Sequence, residues 1–413
     1  MAMTTTVAAR ATSVSSKFSL TRACARNELS GYDQQERRNC LSSGLGPSTF
    51  RVKKQLLGDG SALCQLQHGE KRQRRGLGKI EMTLIDNRPA ILGPSLGKTM
   101  TKTLAYELVQ GTMARRWTDT MDKTQPDTPT AVLVHGILGA RKSWASFARR
   151  LAVEFPTWQF LMVDLRCHGE STFLSKQGPH SVLSAARDVL QLVGELKLTP
   201  RLLIGHSFGG KVVMSMVDQA VKPLARPVRV WVLDATPGRV YTGGHDADHP
   251  EELIAALQEM PAVVPSRKAV ADALARKGFS DKIAEWMVTN LRPVKGTTGF
   301  YWVFDLEGVS DMYRSYTETN LWPLVEGVPE GVHIDFLRAE RSLHTWYHAD
   351  VERIRTAERI ASREGAGVKM HLLEECGHWV HTDNPDGLFR ILTSSDSFAT
   401  PTFATPRIPL ILP

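Results

Sequence analysis

No stretch of these 413 residues approaches the roughly 18 consecutive apolar positions of a membrane-spanning helix, so the body is expected to be soluble or to meet a membrane only peripherally. Cysteine is sparse. There are five, an odd number, with Cys24, Cys40 and Cys64 in the first 80 positions and no pair at metal-ligand spacing. That pattern excludes a disulfide framework and leaves Cys167 and Cys376 as ordinary reduced thiols. Excess charge is missing from most of the chain. Of 51 Lys/Arg and 43 Asp/Glu, residues 1–80 hold 14 and 5, which leaves 37 and 38 for the remainder. The net charge of +8 therefore belongs to the leader, and the nearly neutral body offers no groove for nucleic acid.

Acidic residues are absent from positions 1–27, which carry four basic residues (Arg10, Lys17, Arg22, Arg26) and nine Ser/Thr. A secretory signal needs a continuous apolar core, and this segment has none. Its composition resembles an organelle transit peptide, and its Ser/Thr richness with few arginines favours plastid over mitochondrion. Residues 28–80, with the basic run Lys71, Arg72, Arg74 and Arg75, show no helical or strand periodicity, so 1–80 is expected to be transit peptide and disordered linker. Residues 394–413, rich in Ser, Thr and Pro, read as a mobile tail.

What is present is globular: 42% hydrophobic and 23% charged residues, with enough length for one large or two ordinary domains. Short apolar runs at 131–134, 159–163, 202–204 and 228–233 have the character of strands buried on both faces of a parallel sheet. They alternate with helical patterns at 144–154, 182–196 and 211–220, and 104–109 reads as a further strand before a polar connection at 117–129. The expected class is α/β, a doubly wound, mostly parallel sheet, begun in 81–238 and completed in 332–393 by strands 332–337 and 368–373. Between them, 239–331 reads as a helical cap, with helices at 250–260, 267–277 and 281–291, the last two capped by Ser266 and Ser280.

In such a sheet, ligands lie beyond the carboxyl ends of the strands, where His135, Asp164, Ser207 and Asp234 all fall. Gly205-His206-Ser207-Phe208-Gly209 stands between a strand and a helix. That context makes a nucleophile elbow of a pattern that alone recurs by chance: serine is presented on a sharp strained turn, and glycines allow neighbouring backbones to approach. After the last strand, His378 is placed to take the serine's proton and return it to a leaving group. His381 is expected to be structural.

Together, GHSFGGKVVM, DLRCHGES, the LDATP stretch and CGHWVHTDNPD resemble the α/β-hydrolase superfamily, over about 131–392. Within it they are most similar to the subfamily of α/β-hydrolase-domain protein 11 and bacterial esterases. The superfamily's usual acid follows the strand at 332–337, and its spacing falls on Ser342, which carries no carboxylate. The subfamily resemblance implies Asp234 instead, with Glu340 the alternative acid. It also implies the N–H groups of Phe208 and Ile137 as the oxyanion hole. Asp164, Arg166 and His168 are expected to make hydrogen bonds that shape a loop near the site.

The implied activity is serine-dependent hydrolysis of an apolar acyl or lipid-type carboxylic ester, without metal or organic cofactor. Thioesterase or acyltransferase chemistry with the same residues, and a ligand-binding homologue with little turnover, stay open. Among the cap's bulky residues (Met260, Trp286, Met287, Phe300, Tyr301, Trp302, Phe304, Met312, Tyr313, Tyr316, Trp322), most are expected to form its own core and some to line a pocket over Ser207.

Overall fold

The computed structural model describes residues 53–56, 62–65, 103–119, 128–176, 178–220, 228–240, 249–342, 346–364 and 367–398. Two units are distinguished, Met1–Gly93 and Pro94–Pro413. In the first, Lys53–Leu56 and Ala62–Gln65 pair as antiparallel strands, with Lys53 opposite Gln65 and Leu56 opposite Ala62. This corrects the expectation of a linker without strands; four residues are too few to write an alternation that periodicity can register. The expected transit peptide and the expected start of order near 81 lie outside the described residues.

The second unit is built on seven strands: β1 (Tyr106–Gln110), β2 (Thr130–Val134), β3 (Gln159–Val163), β4 (Pro200–His206), β5 (Val228–Leu233), β6 (Val332–Ala339) and β7 (Gly367–Leu373). Their spatial order is β7-β6-β5-β4-β2-β3-β1. Every neighbouring pair is parallel except β1 with β3. The side-chain period of two sends Ala131 and Leu133 into one core layer with Trp144, Phe147 and Leu151, and Val132 and Val134 into another with Phe208 and Val212. Both faces are thus covered by helices. At about 1.5–3 kcal/mol per buried large apolar side chain, this two-sided burial is why β2 and β3, buried throughout, carry the apolar runs 131–134 and 160–163.

Between β5 and β6 lies the cap, with helices Pro250–Gln258, Arg267–Arg276, Asp281–Val288, Leu306–Glu318 and Trp322–Glu326. Ser266 and Ser280 accept the N–H groups of Ala269 and Ile283 as N-caps. The cap is not purely helical. Val263–Val264, Phe300–Trp302 and Leu291–Pro293 form a small antiparallel sheet. The third helix accordingly stops at Val288 rather than near 291, because Leu291 and Arg292 are taken into that sheet opposite Trp302 and Tyr301.

Two further expectations are corrected. The connection at 117–129 begins inside a helix, Thr112–Asp119. The chain also stays packed beyond 394: Phe398 stacks on Phe155 with centroids 3.9 Å apart, and Ser397 Oγ accepts the Trp231 indole N–H at 2.8 Å. Among the described residues, no helix is long and apolar enough to cross a membrane.

Candidate active site

Strand β4 ends at His206, and the helix Phe208–Gln219 starts one residue later. Ser207 sits between them at φ 52°, ψ −118°, a conformation that L residues rarely hold. Its N–H donates to Leu233 O and its carbonyl accepts Gly210 N–H, both at 2.8 Å. Strand and helix meet so closely that a Cβ on residue 205 would stand 2.1 Å from Gly209 O, and one on residue 209 would stand 2.6 Å from Val134 O. Only glycine fits at either position.

Asp234 follows β5, also at positive φ (52°), held by its N–H to Leu337 O at 2.7 Å. Its carboxylate collects four donors. His378 Nδ1–H reaches Oδ2 at 2.7 Å and the Ser342 hydroxyl donates to the same oxygen. Trp346 Nε1–H and Ala339 N–H reach Oδ1 at 2.9 and 3.1 Å. Burial opposes the charge, but the hydrogen bond and charge of His378, with the Ser342 and Ala339 donors, outweigh it and hold the carboxyl below its ordinary pKa. With the proton on Nδ1, His378 keeps a lone pair on Nε2. Glu340 stands apart: exposed, it accepts Glu375 N–H at 2.8 Å and lies 4.0 Å from Arg341.

The loop after β2 is set by histidines that burial keeps neutral, pushing His135 down to about 4 and His168 to about 3. His168 donates from Nδ1 to Arg166 O at 2.8 Å and accepts Leu138 N–H on Nε2 at 3.0 Å. His135 donates to Gly136 O at 2.7 Å and accepts Leu165 N–H at 3.0 Å. The intervening Ile137 N–H, like that of Phe208, has no hydrogen-bond partner among the described residues. Two free N–H groups flanking a serine are what a developing oxyanion requires. Asp164 secures the same loop by accepting Arg141 N–H at 2.8 Å and Glu170 N–H at 3.0 Å, and Arg166 pairs with Asp188 at 2.6 Å.

Several contributors carried no sequence signal. His206, buried and held neutral, donates from Nε2 to His378 O at 2.7 Å. Trp346 bonds Asp234 as described, and Ser342 gains a role through the same carboxylate rather than as an acid. The fully buried Lys211 ammonium reaches Gly238 O, Tyr316 O and Thr319 O at 2.6, 2.7 and 2.9 Å, tying the cap to the helix after Ser207. His381 stacks on Trp144 at 4.4 Å between centroids, a packing role. The Cys167 and Cys376 thiols, pushed up to about 12 mainly by burial, supply no second nucleophile.

Ser207, His378, Gly136 and Ile137 open into a cavity of about 510 Å³ roofed by the cap's Leu253, Ile283, Trp286, Tyr313 and Tyr316. Met287, Trp302, Phe304, Met312 and Trp322 are instead buried in the core layer that the cap shares with one face of the sheet.

The sequence is 28% identical over 275 residues to sn-1-specific diacylglycerol lipase ABHD11 of Mus musculus, covering 64% of this chain and 80% of that protein. It is 25% identical to esterase YbfF of Escherichia coli, covering 65% and 94%. A solved structure, that of a marine microorganism esterase, superposes with a TM-score of 0.55 at 21% identity over 71% of this chain and 98% of the other, a likeness of fold. The relatives are esterases and lipases, and residues 131–391 match the model of the alpha/beta hydrolase family. The chain belongs to that family.

Proposed function

We propose that the protein is a serine hydrolase that cleaves a carboxylic ester with an apolar acyl or lipid-type group through an acyl-enzyme. One observation carries the reading: a strained Ser207 opens into the same cavity as a His378 whose Nδ1–H is held by Asp234 at 2.7 Å. Ser207 Oγ attacks the ester carbonyl as His378 Nε2 takes its proton, and Asp234 stabilises the imidazolium. The oxyanion settles between the Ile137 and Phe208 N–H groups. The alcohol leaves with the proton from His378, and water then repeats the sequence on the acyl-enzyme. Apolar walls from Leu253, Ile283 and Trp286 favour an apolar acyl chain, and the lipase name of the mouse relative supports a glycerolipid-type ester.

Intact-mass measurement of the full chain after exposure to a fluorophosphonate probe tests this. A single adduct is expected on the wild type and none on Ser207→Ala. A folded wild-type protein that takes up no probe would leave a ligand-binding homologue as the better reading.

We further propose delivery to the plastid, on the acid-free, Ser/Thr-rich composition of residues 1–27. Residues 1–80 fused to a fluorescent reporter should direct it into plastids of plant cells; uniform cytosolic fluorescence, or mitochondrial accumulation, would count against it.

A further inference from the structure

The cap brings one polar atom into the site whose burial the fold does not explain. Tyr316, on the Leu306–Glu318 helix, is only 4% exposed, and its hydroxyl has no hydrogen-bond partner among the described residues. Leaving such a group unpaired costs about 1–3 kcal/mol, so a phenylalanine would serve the core better if packing were the whole role. The hydroxyl lies close enough to Ser207 for the two side chains to interact, and both line the 510 Å³ cavity with His378.

The ring has little freedom to move away. Lys211 Nζ stands 4.4 Å from its centroid, Tyr313 stacks at 5.9 Å, and Phe208 lies tilted at 5.9 Å. The same ammonium holds the Tyr316 carbonyl at 2.7 Å, so ring and backbone are both fastened to the helix that starts at the elbow. Burial drives the phenol's pKa upward, which keeps it a neutral O–H donor at every working pH. A fixed donor that meets no acceptor at hydrogen-bond geometry, with the Ser207 side chain its polar neighbour, is free to take an acceptor that arrives with the substrate.

We infer that the Tyr316 hydroxyl is a third hydrogen-bond donor to the reacting carbonyl oxygen of the ester, delivered by the cap beside the Ile137 and Phe208 N–H groups. The side favoured is that of Phe208, whose ring Tyr316 packs against and whose N–H is one of the two backbone donors. No proton leaves Tyr316; its O–H bond strengthens its contact as charge builds on the oxygen and relaxes when the alcohol departs. The inference rests on the serine-hydrolase reading above. It makes the cap's fixed position over the substrate part of the chemistry and not only of binding.

The test is Tyr316→Phe in the full chain, assayed on p-nitrophenyl esters and by the rate of fluorophosphonate labelling, whose phosphonyl oxygen occupies the oxyanion position. Loss of one such donor is expected to lower kcat about 100-fold with KM changed less than about threefold, and to slow labelling similarly. The thermal midpoint should hold or rise, since only an unpaired buried hydroxyl is removed. Unchanged kcat and labelling, a loss confined to KM, or a midpoint lowered by several degrees would each overturn the inference, the last by marking the hydroxyl as structural. Wild-type labelling separates the two readings: if the wild type does not label, the hydrolase reading falls and this one with it. If wild type and Tyr316→Phe label equally, only this one falls.

Discussion

Asp234→Asn is expected to lower kcat about 10⁴-fold with the fold intact, whereas Glu340→Gln should leave kcat within about twofold. The reasoning lies in the donors around the carboxylate. Oδ1 accepts Trp346 Nε1–H and Ala339 N–H, so an asparagine keeps its oxygen there and turns its NH₂ toward His378 and Ser342. The Ser342 hydroxyl can rotate to accept. His378 has no such freedom without moving its proton to Nε2, which removes the lone pair that must receive the Ser207 proton. The geometry is kept and the tautomer is wrong. Glu340, engaged with Glu375 N–H at an exposed edge, has no such hold on the imidazole. Steady-state rates of the two variants on one chromogenic ester decide the matter. A thousandfold loss in Glu340→Gln with near-normal Asp234→Asn would transfer the acid's role.

Why the carboxylate beside His378 was left between two candidates in the sequence while the elbow was not follows from how each is encoded. The elbow is local: two glycines, a serine, a preceding strand and a following helix lie within a few positions, and the closeness of Gly205 to Gly209 O explains the residue types directly. The place of Asp234 is defined by partners 105, 108, 112 and 144 positions away. No spacing rule reaches that far, and Ser342 at the usual acid position showed only that a carboxylate had to come from elsewhere. Strands β3 and β5 match the runs read from the sequence residue for residue, since burial on both faces leaves Gln159 and Arg229 as their only polar members. Strand β4 extends to His206 because its ladder continues through Gly205 opposite Val232 and His206 opposite Leu233, residues with no apolar signature.

Lys211 and Tyr316 were hidden for a related reason. Lys211 acts on backbone carbonyls, which every residue possesses, and Tyr316 is one aromatic among many whose hydroxyl differs only in lacking a partner. The cap's strands of two and three residues are too short for any period. Phe398 is a single buried ring in a polar tail, and composition averages it away.

The second large effect expected is a collapse of stability between pH 6.5 and about pH 5. Burial lowers the pKa of His135 and His381 to about 4, of His168 to about 3 and of His206 well below 6.5. In the unfolded chain each takes a proton near 6.5, while in the folded chain it does not until far lower pH. Within that window the unfolded state therefore binds more protons, and stability falls as pH falls. Each group contributes about 1.4 kcal/mol per pH unit, so four together cost about 5.5 kcal/mol per unit against a total of about 5–15 kcal/mol. Asp234 does not offset this: its depressed pKa supplies stability that is lost only below its unfolded value near 3.8. Lys211, lowered to about 7 by burial, titrates above the window.

Urea midpoints measured from pH 8 to pH 5 should yield a slope of about four protons below 6.5. His168→Gln, whose side-chain oxygen can still accept Leu138 N–H, should remove one of them. A flat profile would mean that these histidines are charged in the folded chain. The functional consequence runs through the oxyanion loop: protonation turns the acceptor nitrogens of His135 and His168 into donors facing the N–H groups of Leu165 and Leu138. Donor then meets donor on both sides of Ile137, so the protons that unfold the chain also dismantle the site that would hold the oxyanion.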